Sequence, residues 1–457
     1  MFRRKQPGAA DLWMDVSTLL EWRGGQFTGI PRTMSSLLDV WLDDATLRLS
    51  LCCFDPPTGV LREVPRQELR DALARNRAPG PEPEPPAPAR PPSALRRAWR
   101  RLPEDLRAAA WHLARFLLRA LARPARVARP APAVAAAPCP FARGDVLLVL
   151  GGGWDHPGWG DAVAAAKHAH GLRLAVLFHD VIAAHMPQFF PAVMPPRFVP
   201  WARRLLGLAD VVLANSENTR RDVLTFAAES GVVPPPVEVV RWGDELPPDT
   251  CSRRPRALPA EWGVGPFVLS VGTVEVRKNH WLLYHLWRRL AQRHGERLPS
   301  LVLAGGPGWL TADLLQMLRT DPLVRRRILL LPGLTDAELR WLYQHCLFTL
   351  YPSHYEGWGL PVAEALAHGK YCVCSSSSSL PEIAGNLLDY HDPLDLAGCA
   401  ELVERALWEP GWLSRKEERI RREFRVTPWR ACAASVLEKL ARHLAGPAAR
   451  PAEGKVA

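Results

Sequence analysis

The sequence predicts an α/β protein of two doubly wound domains, and three observations carry that prediction. Its 457 residues exceed one ordinary core, since domains usually hold about 100 to 200 residues. Short, almost wholly apolar runs alternate with helix-like stretches, as buried parallel strands do. The alternation also stops once, in a polar passage, and then restarts.

The first series is LWMDV near residue 12, DVLLVL (145–150), LRLAVLF (172–178), DVVLANS (210–216) and VEVVR (237–241). The Pro-bearing passage 243–263 follows. The second series is FVLSV (267–271), LVLAG (301–305), ILLLPG (328–333), LFTLYPS (347–353) and YCVCS (371–375), separated by helical patterns at 279–294, 310–319 and 335–345. A junction near 244–262 gives one domain over 1–245, a second over 246–428, and a last helix with its tail over 429–457. Ligands of such sheets lie at the carboxyl ends of the strands.

Hydrophobic residues at 47% and charged residues at 23% exclude a disordered or fibrous chain. The 45 prolines concentrate between Pro65 and Pro140. There eleven arginines from Arg90 to Arg129 are opposed by Glu104 and Asp105 alone, in a segment bracketed by PGPEPEPPAPARPP (79–92) and ARPAPAVAAAPCP (128–140). Leu95, Trp99, Leu102, Leu106, Leu113, Phe116, Leu117 and Leu121 recur at helical spacing. A basic amphipathic helix over 93–123 is therefore expected, inside an insertion of about 62–143 in the first domain. It suits an anionic membrane surface, and docking on its own domain fits equally well. Nucleic acid fits worst among partners for the net charge of +11, because the arginines cluster with only Trp99, Trp111 and Phe116 for stacking.

The nine cysteines lack any CxxC, which predicts reduced, buried thiols and no metal site. MFRRKQPGAADLWMDV has no apolar signal core, and no run of about 18 apolar residues occurs. A cytoplasmic protein is expected, peripheral on the inner face of the plasma membrane if the basic helix docks there.

In SHYEGWGLPVAEALAHG (353–369), Glu356 falls in a Gly-rich turn after a strand, Pro361 in the first turn of a helix, and Glu364 one turn later. Both carboxylates are expected to face one cleft. Backbone N–H groups around Gly359 and Leu360 suit a diphosphate, and an acid in the opening turns suits ribose hydroxyls. Complementing a helix dipole is the plainer reading of the same acids. In SVGTVEVRKNHWLLYHL (270–286), Glu275, Arg277 and Lys278 lie between a strand and a helix starting near Asn279. A cation pair there would neutralise a leaving diphosphate.

GTVEVRKN, LPGLTDAELRWLY, YPSHYEGWGLPVAEALAHG and SSSSSLPEIAG resemble, in order, the donor-site motifs of the family 4 retaining GT-B glycosyltransferases, the group 1 enzymes. The resemblance covers 265–430 densely, and Glu356 and Glu364 match the family's Glu-x7-Glu. More loosely, WRGGQFTGIPRT (22–33) resembles its glycine loop and GI-x-R turn, LFHDVI (177–182) its HD block, and VLANSENTRRDV (212–223) its Ser-x-x-Thr block. The segment at Trp429 resembles the final helix that returns to the first domain.

The resemblance implies two Rossmann-like domains facing a cleft, and an enzyme without metal or cofactor. It gives catalytic roles to Glu356, His179, Arg277 and Lys278. Donor contacts fall to Gly29, Arg277, Lys278, Leu334 beside the nucleobase, Glu356, Gly359, Leu360, and Glu364 at the ribose; acceptor contacts fall to Arg32 and Asp180. It implies transfer of a hexose with retention, from a nucleotide-sugar co-substrate for which GDP-mannose is favoured. The acceptor is a lipid-linked oligosaccharide or growing surface polysaccharide. Alternatives are a UDP-sugar-dependent enzyme of this fold, a nucleotide-sugar 2-epimerase, which the spaced Glu pair disfavours, and a non-catalytic polysaccharide-assembly protein. Asn386, where the family commonly has an acid, and the run Ser375–Ser379 read as loop variation.

Overall fold

The computed structural model describes residues 1–3, 10–22, 27–77, 138–246, 251–258 and 265–445. The basic helix expected at 93–123 and the loop glycines Gly24 and Gly25 lie outside them. Seven strands form the first sheet: β1 (Leu12–Asp15), β2 (Leu49–Asp55), β3 (Val60–Glu63), β4 (Val146–Val149), β5 (Arg173–Phe178), β6 (Val211–Ala214) and β7 (Val237–Val239). Their order is β3-β2-β1-β4-β5-β6-β7, parallel except where β2 meets β3.

The second sheet is wholly parallel: β8 (Phe267–Val271), β9 (Ser300–Ala304), β10 (Ile328–Leu331), β11 (Thr349–Tyr351), β12 (Cys372–Ser375) and β13 (Tyr390–His391), in the order β10-β9-β8-β11-β12-β13. Apolar side chains on both faces of β1, β4, β6 and β8 are buried, so near-continuous apolar runs give central strands. Each sheet reverses its winding once, between β1 and β4 and between β8 and β11. The connections leaving such a pair diverge and open a crevice at the carboxyl ends.

Both sheets belong to one compact unit. The helix Trp429–Leu444 follows the second sheet in sequence but packs on the helix Gly29–Asp43 and on β6 of the first. Trp429 lies 5.9 Å from the Trp242 ring, its indole N–H donates to the Glu245 carbonyl at 3.1 Å, and Lys439 and His443 bond Glu238 of β7. Gly243 makes the approach feasible: a Cβ there would sit 2.5 Å from the Trp429 ring.

Residues expected at the start of the insertion form a helix, Arg66–Arg77, whose Leu69 and Leu73 enter the main core. The chain re-enters beside β3, where the Cys139 N–H donates to Leu61. All nine cysteines are free thiols, eight of them buried and Cys251 exposed. Among the described residues no helix is long and apolar enough to cross a membrane.

Candidate active site

The loop after β8 descends into the crevice of the second sheet. Residues Val276–Lys278 form one 3-10 turn, and Asn279 closes it in the left-handed region at φ 57° before the helix His280–His294 begins. Asn tolerates that conformation better than most residues. Its buried side-chain amide donates to the carbonyls of Pro352 (3.1 Å) and Pro393 (2.7 Å), which ties this loop to the one after β11.

That second loop carries Glu356, which Arg277 meets at 2.5 Å and Lys278 at 3.1 Å. Arg277 also bonds Glu275 at 2.6 Å and the Tyr355 carbonyl at 2.7 Å. Tyr351 and Ser353 donate to the carboxylate at 2.9 and 2.8 Å. Burial alone would push the Glu356 carboxyl up, but Arg277 and then Lys278 outweigh it and hold it at about 2. The result is two cations and two carboxylates, Glu275 and Glu356, largely withdrawn from water at the carboxyl ends of β8 and β11. An arriving diphosphate would find positive charge already oriented there.

The run Ser375–Ser379, read as loop variation, is structural support instead. Ser375 and Ser377 donate to the carbonyls of Ser353 and His354, both at 2.6 Å. Ser378 accepts the Glu356 N–H at 2.8 Å, and Ser379 donates to the carbonyls of Glu356 and Trp358. Four hydroxyls thus hold the turn that aims Glu356. Asn386 accepts from Arg419 at 2.9 Å, well suited to a neutral amide.

The first half meets this cluster from β5. His179 is half-buried; its Nε2 is 2.6 Å from the Leu150 carbonyl, so that nitrogen carries the proton. Its own carbonyl accepts from Asn215. Burial lowers the imidazole to about 4, against the raising effect of the Leu150 bond, so the ring is neutral at physiological pH. Burial raises Asp180, and Arg277 opposes it, which places Asp180 within the field of the same cation. Ser216 and Thr219 donate to the Gly357 carbonyl at 2.8 and 3.1 Å. Glu382 accepts the backbone N–H groups of Glu217 and Asn218, capping the helix Glu217–Glu229 from the opposite half.

Glu364 stands apart from Glu356. It lies in the helix Leu360–Ala367, where its Oε1 takes Arg32 at 2.8 Å and its Oε2 takes the Tyr343 hydroxyl at 2.8 Å. The two acids therefore occupy separate networks within one segment, rather than one shared pocket. Gly359 opens the helix at φ 122°, and no side chain among the described residues caps it. Leu334 follows β10, just before the capping box of Thr335 and Glu338. Gly29 starts the helix Gly29–Asp43 with φ 55°, a conformation that favours glycine.

His179, Asp180, Arg277, Lys278 and Glu356 are thus gathered together, Arg32 joins Glu364, and Gly29 and Leu334 flank helix starts. Tyr343, Tyr351, Ser353 and Glu382 were not singled out in the sequence; the tyrosines read as core, and only their strand-end or helix-end positions could have marked them.

Residues 261–397 match the model of the group 1 glycosyl transferases. The O-antigen chain mannosyltransferase B of Escherichia coli is 27% identical over 267 residues, covering 58% of this chain and 69% of that one. A D-inositol 3-phosphate glycosyltransferase of Thermobifida fusca is 30% identical over 228 residues, covering 46% and 50%. Among solved structures, Anabaena HepE in complex with UDP-glucose superposes with a TM-score of 0.57 at 15% identity, covering 94% of this chain and all of that one, a likeness of fold. With two parallel-sheet Rossmann-like halves of GT-B architecture and group 1 sequence over 261–397, the chain is a glycosyltransferase.

Proposed function

We propose that this glycosyltransferase belongs to the retaining family 4 and moves mannose from GDP-mannose to a lipid-linked oligosaccharide or growing surface polysaccharide. The observation that carries the reading is the set Arg277, Lys278 and Glu356 at the β8/β11 reversal, facing His179 and Asp180 from the other half. The relative that makes O-antigen chains favours mannose and a surface polysaccharide. Residues 1–245 would hold the acceptor and 246–428 the donor, with the helix from Trp429 coupling them.

Arg277 and Lys278 take the diphosphate, with the backbone of Gly359 and Leu360 beside it, Gly29 approaching from the first half, and Leu334 next to the base. In a front-side attack the departing phosphate oxygen accepts the acceptor hydroxyl proton, so the protein chiefly positions groups and stabilises charge. Glu356, ionised, lies beside the transferred hexose, and neutral His179 offers it an uncharged hydrogen-bonding edge. No metal is required where the Arg277 guanidinium and the Lys278 ammonium meet the leaving group.

A panel of GDP, UDP, ADP and their sugars tests the donor by thermal shift, since a ligand that binds only the native state raises its melting temperature. GDP and GDP-mannose should give the largest shifts. A larger UDP response would instead select the UDP-sugar reading, the ligand class named with HepE. Glu356→Gln should lower kcat by about 100-fold or more while nucleotide binding persists. Turnover unchanged in that variant would remove Glu356 from the reaction, and abolition of wild-type activity by EDTA would remove metal independence.

A further inference from the structure

The resemblance assigned Arg32 to the acceptor, yet the side chain is turned the other way. It leaves the helix Gly29–Asp43 of the first half, crosses to the second, and ends 2.8 Å from Oε1 of Glu364 and 3.9 Å from Asp336. Glu364 is only 3% exposed. A buried carboxylate without a counter-ion relieves its desolvation by taking a proton, and the groups around this one favour that outcome. Asp336 lies on the helix Asp336–His345 and Asp244 on the segment after β7; both push the Glu364 carboxyl up after burial itself, while Arg32 and the Tyr343 hydrogen bond pull it down. His368, at the end of its own helix, bonds the Glu364 backbone carbonyl through Nδ1 at 2.8 Å and stacks on Tyr343. Among the described residues, Arg32 is the cation paired with Glu364.

Each carboxylate oxygen of Glu364 spends one lone pair, Oε1 on Arg32 and Oε2 on Tyr343. Each keeps another that can accept a hydroxyl. Protonation would convert one of these acceptors to a donor and weaken the other.

We infer that Arg32 is a positioning residue of the donor site, the counter-ion from the opposite half that keeps Glu364 an ionised carboxylate able to accept both ribose hydroxyls. This rests on the reading of Glu364 as the ribose contact. Because the cation and the acid belong to different halves, the ribose site is complete only while the halves are together. Donor affinity and inter-half contact are then one equilibrium.

The test is calorimetric titration of GDP and of UDP into the wild type, Arg32→Met, Arg32→Lys and Glu364→Gln between pH 6 and 9, each expressed as a ratio to wild type so that titration of the nucleotide cancels. Arg32→Met should bind nearly as wild type at pH 9 and about tenfold or more weaker at pH 6, as protonation of Glu364 removes its acceptor. Arg32→Lys should restore a flat ratio. Glu364→Gln should be weakened equally at every pH. A flat ratio for Arg32→Met beside a weakened Glu364→Gln overturns the counter-ion role and leaves the ribose contact standing. Glu364→Gln binding like wild type overturns both. Should Arg32→Met fail to melt cooperatively without nucleotide, Arg32→Gln, which keeps a donor but not the charge, takes its place with the same expected outcomes.

Discussion

Two imidazoles, half-buried His179 and buried His280, are held neutral, each at about 4 because desolvation disfavours the charged ring. An unfolded chain would protonate both near 6.5. As pH falls from about 6.5 to 4, the unfolded state binds protons that the native state refuses, so the stabilising contribution is complete above that window and disappears within it. Each histidine contributes on the order of 3 kcal/mol to this dependence. The urea midpoint should therefore decline between pH 7.5 and 5.0, and His280→Gln, neutral throughout, should decline less steeply; an identical slope would discount the buried ring. Glu356, held at about 2, acts in the same direction: it too lies below its unfolded value, but its contribution is lost only in stronger acid, as pH falls from about 4.5 to 2. Arg277, Lys278 and Glu356 were legible in the sequence because they follow strand ends, where ligands of such sheets lie, and because motif order is specific. The serine hydroxyls beneath Glu356 were not, since their partners are backbone groups that no side-chain pattern records.

At the level of elements, the apolar runs of the central strands were easy to read, and the edges were hidden. β13 has two residues, too few for any periodicity. β2 contains Cys52 and Cys53, which looked like core thiols in an undefined stretch, and β3 lies in a short antiparallel return that the parallel grammar did not anticipate. Thr335 begins its helix with a capping box, its side chain accepting from Glu338 while Glu338 reaches back. Thr335→Ala should cost about 1 kcal/mol in chemical denaturation, and it would loosen the turn beside Leu334. Trp429 anchors the returning helix through its ring and indole N–H. Trp429→Ala should cost about 3 to 5 kcal/mol by the same measurement; a loss under about 1 kcal/mol would mean that Lys439 and His443 carry the docking.

For the molecule as a whole, the decisive contact is the one between halves at Gly357. A Cβ there would lie 1.8 Å from the His179 carbonyl oxygen, closer than any neighbour can yield without backbone movement. Trp309 donates to the Phe189 carbonyl at 2.8 Å, and Phe189 stacks on His354 at 5.2 Å, so the loop after β9 and the loop after β11 both meet the first half. Gly357→Ala should hold the halves apart. Nucleotide would still reach Arg277 and Lys278, though more weakly because Glu364 is parted from Arg32, while kcat falls by about 100-fold, the scale of an ångström's misplacement; retention of full kcat would show that the contact is dispensable.

Eight thiols sealed in the core and Cys251 open to water have a practical corollary. Ser252 bonds Gln344, and the Arg253 N–H bonds the Ala337 carbonyl, so Cys251 is moored to the second half just where the chain crosses between sheets. A maleimide should modify the native protein once, without mutagenesis. A fluorophore attached there, paired with an acceptor dye placed on the first half, would report the separation of the halves in real time.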